Sequence, residues 1–224
     1  MTPLKKYRVI SFDYDGVIVD QINSWGLIRE IKGIPEGRIE DYMKGIIDGK
    51  EFRDSEHILF KKYNLRYEDF IEAGKREKFH SNVKKTIEEL FQKGYILFIN
   101  SAGPRPTILT VLRRFKPQAF KYVFSMVPLF DVNNVFYDTY VPYEDANRDV
   151  DKVKVLEVVA EREHVPVEDI IHVGDGVTDI PCFKRCIGVS FNSHSSKVAQ
   201  NAKYNIENFS ELISLVETLN AKNA

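Results

Sequence analysis

Short apolar runs recur along this chain, at Val9–Phe12, Tyr95–Ile99, Tyr122–Val127, Ile170–Val173 and Ile187–Phe191. Each is continuous rather than alternating, and each stops at small or polar residues. A strand exposed on one face alternates apolar with polar, whereas a strand covered on both faces does not, so these runs read as strands of a buried parallel sheet. Between them lie helical periods. Val83, Ile87, Leu90 and Phe91 share one face, as do Ile108, Leu109, Leu112 and Phe115. Val153, Leu156, Val159 and Ala160 repeat the pattern, and Phe209, Leu212, Ile213 and Val216 close it. Strands alternating with helices make βαβ units, so the expected fold is α/β, a three-layer doubly wound parallel sheet.

The alternation fails once. Residues 20–81 carry no strand pattern and read as helices, with Ile39, Tyr42, Met43, Ile46 and Ile47 on one face. Phe52, Leu59, Phe60 and Tyr63 mark a second helix and "RYEDFIEAGKREKF" a third. We expect an inserted helical cap over 20–81, with 1–19 and 82–224 forming the core. A separate oddity is Asn133-Asn134 between aromatic, β-branched runs. It predicts an antiparallel ribbon, placed by the pattern as packing or a dimer contact.

Composition narrows the classes of function. Lys+Arg number 32 against Asp+Glu 33, for a net charge of -1, so no basic excess points to nucleic acid or an anionic membrane. No apolar run is long enough to span a bilayer. The N-terminal stretch meets Asp13 before any signal-like apolar region develops, which sets a cytoplasmic expectation. Cys182 and Cys186, four residues apart beside a short helix, read as core thiols.

In an open α/β sheet, ligands bind beyond the carboxyl ends of the strands. The residues that follow the strands are therefore the candidates. Asp13 and Asp15 follow the first, Asn100, Ser101, Ala102 and Gly103 the second, and Gly174, Asp175, Gly176 and Asp179 the Ile170 strand. Two carboxylates 4 Å apart repel by about 4 kcal/mol at an effective dielectric near 20, so such a cluster calls for a cation. An all-oxygen ligand set suggests Mg2+. Ser101 lies in "NSAGPRP", read as a tight turn that leads into a helix and supplies an anion site. An anion site, a divalent metal and carboxylates together describe phosphoryl transfer. Lys152 and Lys154 open the helix before the Ile170 strand, and either could bring positive charge to this edge.

These stretches resemble the haloacid dehalogenase superfamily of phosphohydrolases, in its phosphoserine phosphatase-like branch. The family's motifs occur in order as "ISFDYDGV", "ILFINSAG", Lys152 in "DKVKVLEVV", and "VGDGVTD". The resemblance implies Asp13 as the nucleophile, forming an aspartyl phosphate, and Asp15 as general acid and then base. It implies Ser101 and the neighbouring amides of Ala102 and Gly103 as the phosphate cradle, and Lys152 as the neutralising cation, with Lys154 as its rival. Mg2+ would be held by Asp13, the backbone carbonyl of Asp15 and Asp175, with Asp179 in support. The implied substrate is a small phosphorylated metabolite, and the implied state is a monomer or homodimer. A phosphomutase or phosphotransferase shares all four motifs, and a non-catalytic phosphate-binding protein would have dispensed with Asp13 or Asp15.

Phosphoserine phosphatases proper carry a glutamate shortly after the first motif and an arginine in the cap. Here the first position falls at or beside Ile22, and the second falls near "FRDSEHI". That departure points away from serine phosphate. Asn23, Arg53 and His57 are the candidate substrate residues on the cap, with Asp20 and Trp25 beside them.

Overall fold

The computed structural model describes residues 6–221. Its centre is a seven-stranded sheet of β1 (Val9–Phe12), β2 (Ile96–Pro104), β3 (Phe120–Phe130), β4 (Phe136–Tyr140), β5 (Ile170–Gly174), β6 (Ile187–Phe191) and β7 (Tyr204–Ile206). The order across the sheet is β4-β3-β2-β1-β5-β6-β7, parallel throughout except for β4. The chain builds outward from β1 through β2 and β3, then returns to the other side of β1 as β5. Strand order thus reverses around β1, which puts the binding crevice at the ends of β1, β2 and β5. Register fixes those ends level: Phe12 lies opposite both Ile99 and Val173.

Both faces of the sheet are covered. Ile10, Phe12, Leu97, Ile99, Ile171 and Val173 pack with α5 (Val83–Gln92), α6 (Arg105–Leu112) and the helix Glu211–Ala221. Val9, Phe98 and Ile170 pack on the other side against α7 (Lys152–Glu163). This is why the strand runs are continuously apolar.

Four helices lie between β1 and α5: α1 (Ser24–Lys32), α2 (Ile39–Met43), α3 (Gly49–Lys62) and α4 (Tyr67–Arg76). Asp48 caps α3 through a reciprocal capping box with Glu51. Their apolar faces form a cluster of their own, with Ile28, Phe60, Leu65 and Phe70 buried at its centre. The Asn133-Asn134 ribbon forms as expected, and Phe130 and Phe136 insert into this cluster beside Phe70 and Phe60. Main-chain bonds add to the seam: Phe136 N–H donates to Leu65 O at 2.8 Å and Tyr67 N–H to Asn134 O at 3.1 Å. The ribbon is packing for the helical insertion.

Three expectations need correction. The helix expected across Ile39–Ile47 ends at Met43, because Gly45 takes a left-handed φ of +70°, and Ile46 is exposed. The stretch from Ser101 is an irregular continuation of β2, with a break in its pairing to β3 between Asn100 and Pro104, and helix α6 starts only at Arg105. Strand β7 was not expected, since three residues with Asn205 in the middle carry no pattern. The terminal residues 1–5 and 222–224 of the expected core lie outside the described residues. No helix of the structure is long and apolar enough to cross a membrane.

Candidate active site

The ends of β1 and β5 bring the aspartates together. Asp13, Asp175 and Asp179 each place a carboxylate oxygen within 4.8 Å of the others. Asp13 is anchored to the sheet by its N–H, which donates to Val173 O at 2.9 Å. Its Oδ1 accepts from Tyr14 N–H at 2.7 Å. Gly16 makes the crowding possible: a Cβ there would stand 2.2 Å from Asp175 Oδ2, and its φ is +70°.

Of the two lysines, Lys152 is the one that reaches the aspartates. It is buried at the start of α7, and its Nζ donates to Asp13 Oδ2 and to Asp179 Oδ1, both at 2.7 Å. Lys154 is exposed and pairs with Glu157. The fully buried Asn100 fixes the lysine's main chain, donating from Nδ2 to Lys152 O at 2.9 Å. His172, inside β5, spans Asp179 Oδ1 and Ser11 Oγ at 2.9 Å each. Burial works against charge on Asp179, yet Lys152 and His172 hold its carboxyl below the usual range. Burial likewise opposes charge on Lys152, but Asp13 and Asp179 keep the ammonium form strongly favoured. Asp13 is pushed up by burial, with Lys152 offsetting part of the rise. Asp175 is pushed up to about 7 by burial, with Asp13 and Asp179 adding to it.

Asp15 faces a different set of partners. Its side chain is outside the aspartate cluster, which leaves only its backbone carbonyl for the expected metal role. Asp15 Oδ1 accepts from the backbone N–H of Ser24 at 3.1 Å and meets the Ser24 hydroxyl at short range. The same hydroxyl lies 2.7 Å from Glu77 Oε1, and the Tyr14 hydroxyl donates to Glu77 Oε2. Ser24 opens α1 and Glu77 ends α4, so this buried knot sits where the chain enters and leaves the helical insertion. A hydroxyl has one proton, so Ser24 can donate to only one of its two carboxyl neighbours. The other contact is a hydrogen bond only if that carboxyl carries a proton. Burial raises the proton affinity of Asp15 well above normal, against the Ser24 bonds that favour the anion and with Asp13 and Glu77 adding to the rise. Burial raises Glu77 as well.

We expect Ser24→Ala to lower kcat about tenfold, less than the 10²–10⁴ that a whole general acid contributes, because the Ser24 amide still holds Asp15. The limb of the pH–rate profile set by the acid should move with it. An unchanged profile would show that Ser24 does not act on Asp15.

Ser101 is buried, and its Oγ accepts from Gly103 N–H at 3.0 Å. Ala102 O accepts from Trp25 Nε1 at 3.1 Å, tying the insertion to the end of β2. Asn23, Arg53 and His57 all line the cavity beside Ala102. Asn23 also caps α1, and His57 faces Asp138 at 3.4 Å. Ile22 is 79% exposed and Asp20 is exposed, and neither lines that cavity. Ser24, Glu77, Tyr14 and His172 escaped the sequence reading. Only His172 carried a signal, as an imidazole within a wholly buried apolar strand that must find partners.

Residues 7–186 match the model of a family described as haloacid dehalogenase-like hydrolase. A phosphoserine phosphatase of Methanocaldococcus jannaschii is 27% identical over 185 residues, covering 81% of this chain and 83% of that protein. A structure described as a substrate-bound phosphoserine phosphatase complex superposes with a TM-score of 0.73 at 23% identity, covering 93% of this chain and 97% of the other. A HAD family hydrolase from Salmonella enterica superposes at 0.76 with 21% identity, covering 97% and 73%. At such identities the superpositions speak for the fold, and the match across most of the chain speaks for the family. With four motifs on one sheet edge and a family match that spans them, this chain belongs to the haloacid dehalogenase-like hydrolases and is an enzyme of their phosphatase kind, resembling phosphoserine phosphatases.

Proposed function

We propose that the protein hydrolyses a small-molecule phosphomonoester through an aspartyl phosphate on Asp13. The observation that carries this reading is the division of labour at the end of β1. Asp13 is kept beside a cation, with Lys152 Nζ 2.7 Å away, while Asp15, two residues on, is turned into a buried knot that favours its protonated form. One carboxylate is suited to attack and the other to give a proton.

An Asp13 oxygen attacks phosphorus, and the bond from phosphorus to the leaving oxygen breaks as Asp15 hands its proton to that oxygen. Asp15, now a carboxylate, takes a proton from water. The water oxygen attacks phosphorus, and the Asp13–phosphorus bond breaks to release phosphate. Lys152 neutralises Asp13 and the phosphoryl oxygens, and the Ser101 hydroxyl, held by the Gly103 N–H, cradles the phosphate with the amide of Ala102.

The residues present fit a divalent cation. Three carboxylates converge within 4.8 Å, and Lys152 offsets the charge of only some of them. Asp13, Asp175 and the Asp15 carbonyl would hold Mg2+, with Asp179 positioning Lys152 behind them. When bound, the cation supplies Lewis-acid stabilisation of phosphoryl charge.

Two measurements check this reading. Phosphate release from p-nitrophenyl phosphate should require Mg2+, stop with EDTA, and proceed without any sugar acceptor. Dependence on an acceptor would favour a phosphotransferase, and turnover that survives thorough chelation would remove the metal role.

The second concerns stability. An Asp175 carboxyl that titrates near 7 folded and near 3.8 unfolded contributes stability fully only below about pH 4, and loses it as pH rises through about 7. In chelator, Tm should therefore fall between about pH 5 and about pH 7.5. Mg2+ should restore more of it at the higher pH, where the cation need not displace a proton. A Mg2+ effect that is equal at both values would sink this assignment.

A further inference from the structure

Strand β4 pairs with only the second half of β3. Its last residue, Tyr140, lies opposite Val127, and the chain then turns away through Pro142, which has no N–H to offer a ladder. From Lys121 to Ser125, β3 pairs with β2 on its inner side and faces no strand on its outer side. Alternate main-chain N–H and C=O groups of that stretch point outward. Among the described residues they make no hydrogen bond to another part of the chain. The open edge has about the length of one ordinary strand, roughly 17 Å.

A cavity of about 470 Å3 lies along this edge. Its walls carry cations and aromatic rings and, among the described residues, no acid. Arg105 opens α6 and Arg162 lies in the last turn of α7. Those helices cover opposite faces of the sheet, so the two arginines flank the edge from its two faces. Neither makes an ion pair among the described residues, whereas Lys121, the third cation, is bonded to Glu163 at 2.7 Å. The Arg162 guanidinium lies over the rings of Tyr122 and Phe124, 5.7 and 5.9 Å from their centroids, which keeps its charge beside the edge. Tyr140, Pro142 and Tyr143 form another wall.

We propose that the open edge of β3 docks an acidic, extended segment of a partner protein, which adds to the sheet as a further strand. An added strand pairs with the free main-chain groups. Its successive side chains point to opposite faces, so acids at neighbouring positions meet Arg105 on one face and Arg162 on the other. A second copy of this edge is a poor occupant, because it would bring like cations together, the device by which edges deter such pairing. None of these residues belongs to the aspartate cluster, so the docking edge stands apart from the phosphatase reading.

Fluorescence anisotropy of a labelled peptide, TVEEVT, should rise saturably on titration with the full chain, and that of TVKKVT should not. TVEEVT with N-methylated central residues keeps both acids but lacks the main-chain donors, and it should not bind. Arg105→Gln and Arg162→Gln should each weaken binding about fivefold, the scale of one partly exposed ion pair. Arg105→Glu combined with Arg162→Glu should abolish it, with each variant melting as cooperatively as the parent. Absence of saturable TVEEVT binding would overturn the proposal. Equal binding of the N-methylated peptide would overturn it too, since charge alone would then account for the attraction. A single-stranded oligouridylate that binds more tightly than TVEEVT would replace the docking edge with a nucleic-acid contact.

Discussion

Asp13→Asn should lower kcat for phosphate-ester hydrolysis on the order of 10⁴-fold or more, because the amide offers no nucleophilic oxygen to attack phosphorus. The fold should survive. Asparagine is nearly isosteric, its carbonyl can still accept from the Tyr14 N–H, and the change relieves the repulsion that Asp13 shares with Asp175 and Asp179. Melting temperature in chelator should be unchanged or higher. Steady-state hydrolysis and a thermal melt on one preparation decide it: a folded variant with full activity would remove Asp13 from the chemistry.

Lys152→Met should be costly in both respects. The ammonium is buried at 7% exposure and makes two 2.7 Å bonds to carboxylates that are themselves buried. Its loss leaves Asp13 and Asp179 without their cation, and breaking a buried ion pair on one side costs about 3–5 kcal/mol. We expect that loss in urea unfolding measured with chelator present. Adding Asp179→Asn to the lysine variant should recover part of it, since one of the two stranded charges disappears. With Mg2+ present, kcat should fall on the order of 10²–10³, the scale of losing one preorganised electrostatic group. A variant as stable as the parent would mean that Asp13 and Asp179 do not depend on Lys152 for their charge.

The difference expected between these two variants follows from how the site is built. In the proposed reaction Asp13 supplies the nucleophile at a carboxyl pushed up by burial, whereas Lys152 pairs with two buried carboxylates. Asp175, pushed up to about 7 chiefly by burial, has no ion pair with Lys152, unlike Asp13 and Asp179, and is the member most in need of a cation. Asp15 is set apart from all three by the Ser24–Glu77–Tyr14 knot.

The parallel sheet, its helices and the four motif stretches were legible in the chain, because each depends on spacing within a few residues. Continuous apolar runs mark buried strands, and a period of 3.6 marks the helices that cover them. Asp13 and Asp15 declare themselves by ending a strand. Where a local period ran past its physical limit, the reading failed. The pattern over Ile39–Ile47 continued beyond Gly45, whose left-handed backbone ends the helix. The stretch Ser101–Pro104 looked like a turn, but pairing with β3 resumes at Pro104, opposite Met126.

What the sequence by itself determined is the class of fold and the inventory of groups at the strand ends. Only the tertiary structure decided between Lys152 and Lys154, because two residues along a helix point to different faces and only one of those faces is buried against β1. It alone brought Glu77 to Ser24 and Asp15, residues 53 and 9 positions apart along the chain from Ser24, whose types are common and whose spacing carries no signal. Local periodicity is written in neighbouring residues, whereas proton affinity, pairing and cavity shape come from groups that meet only after the chain has folded.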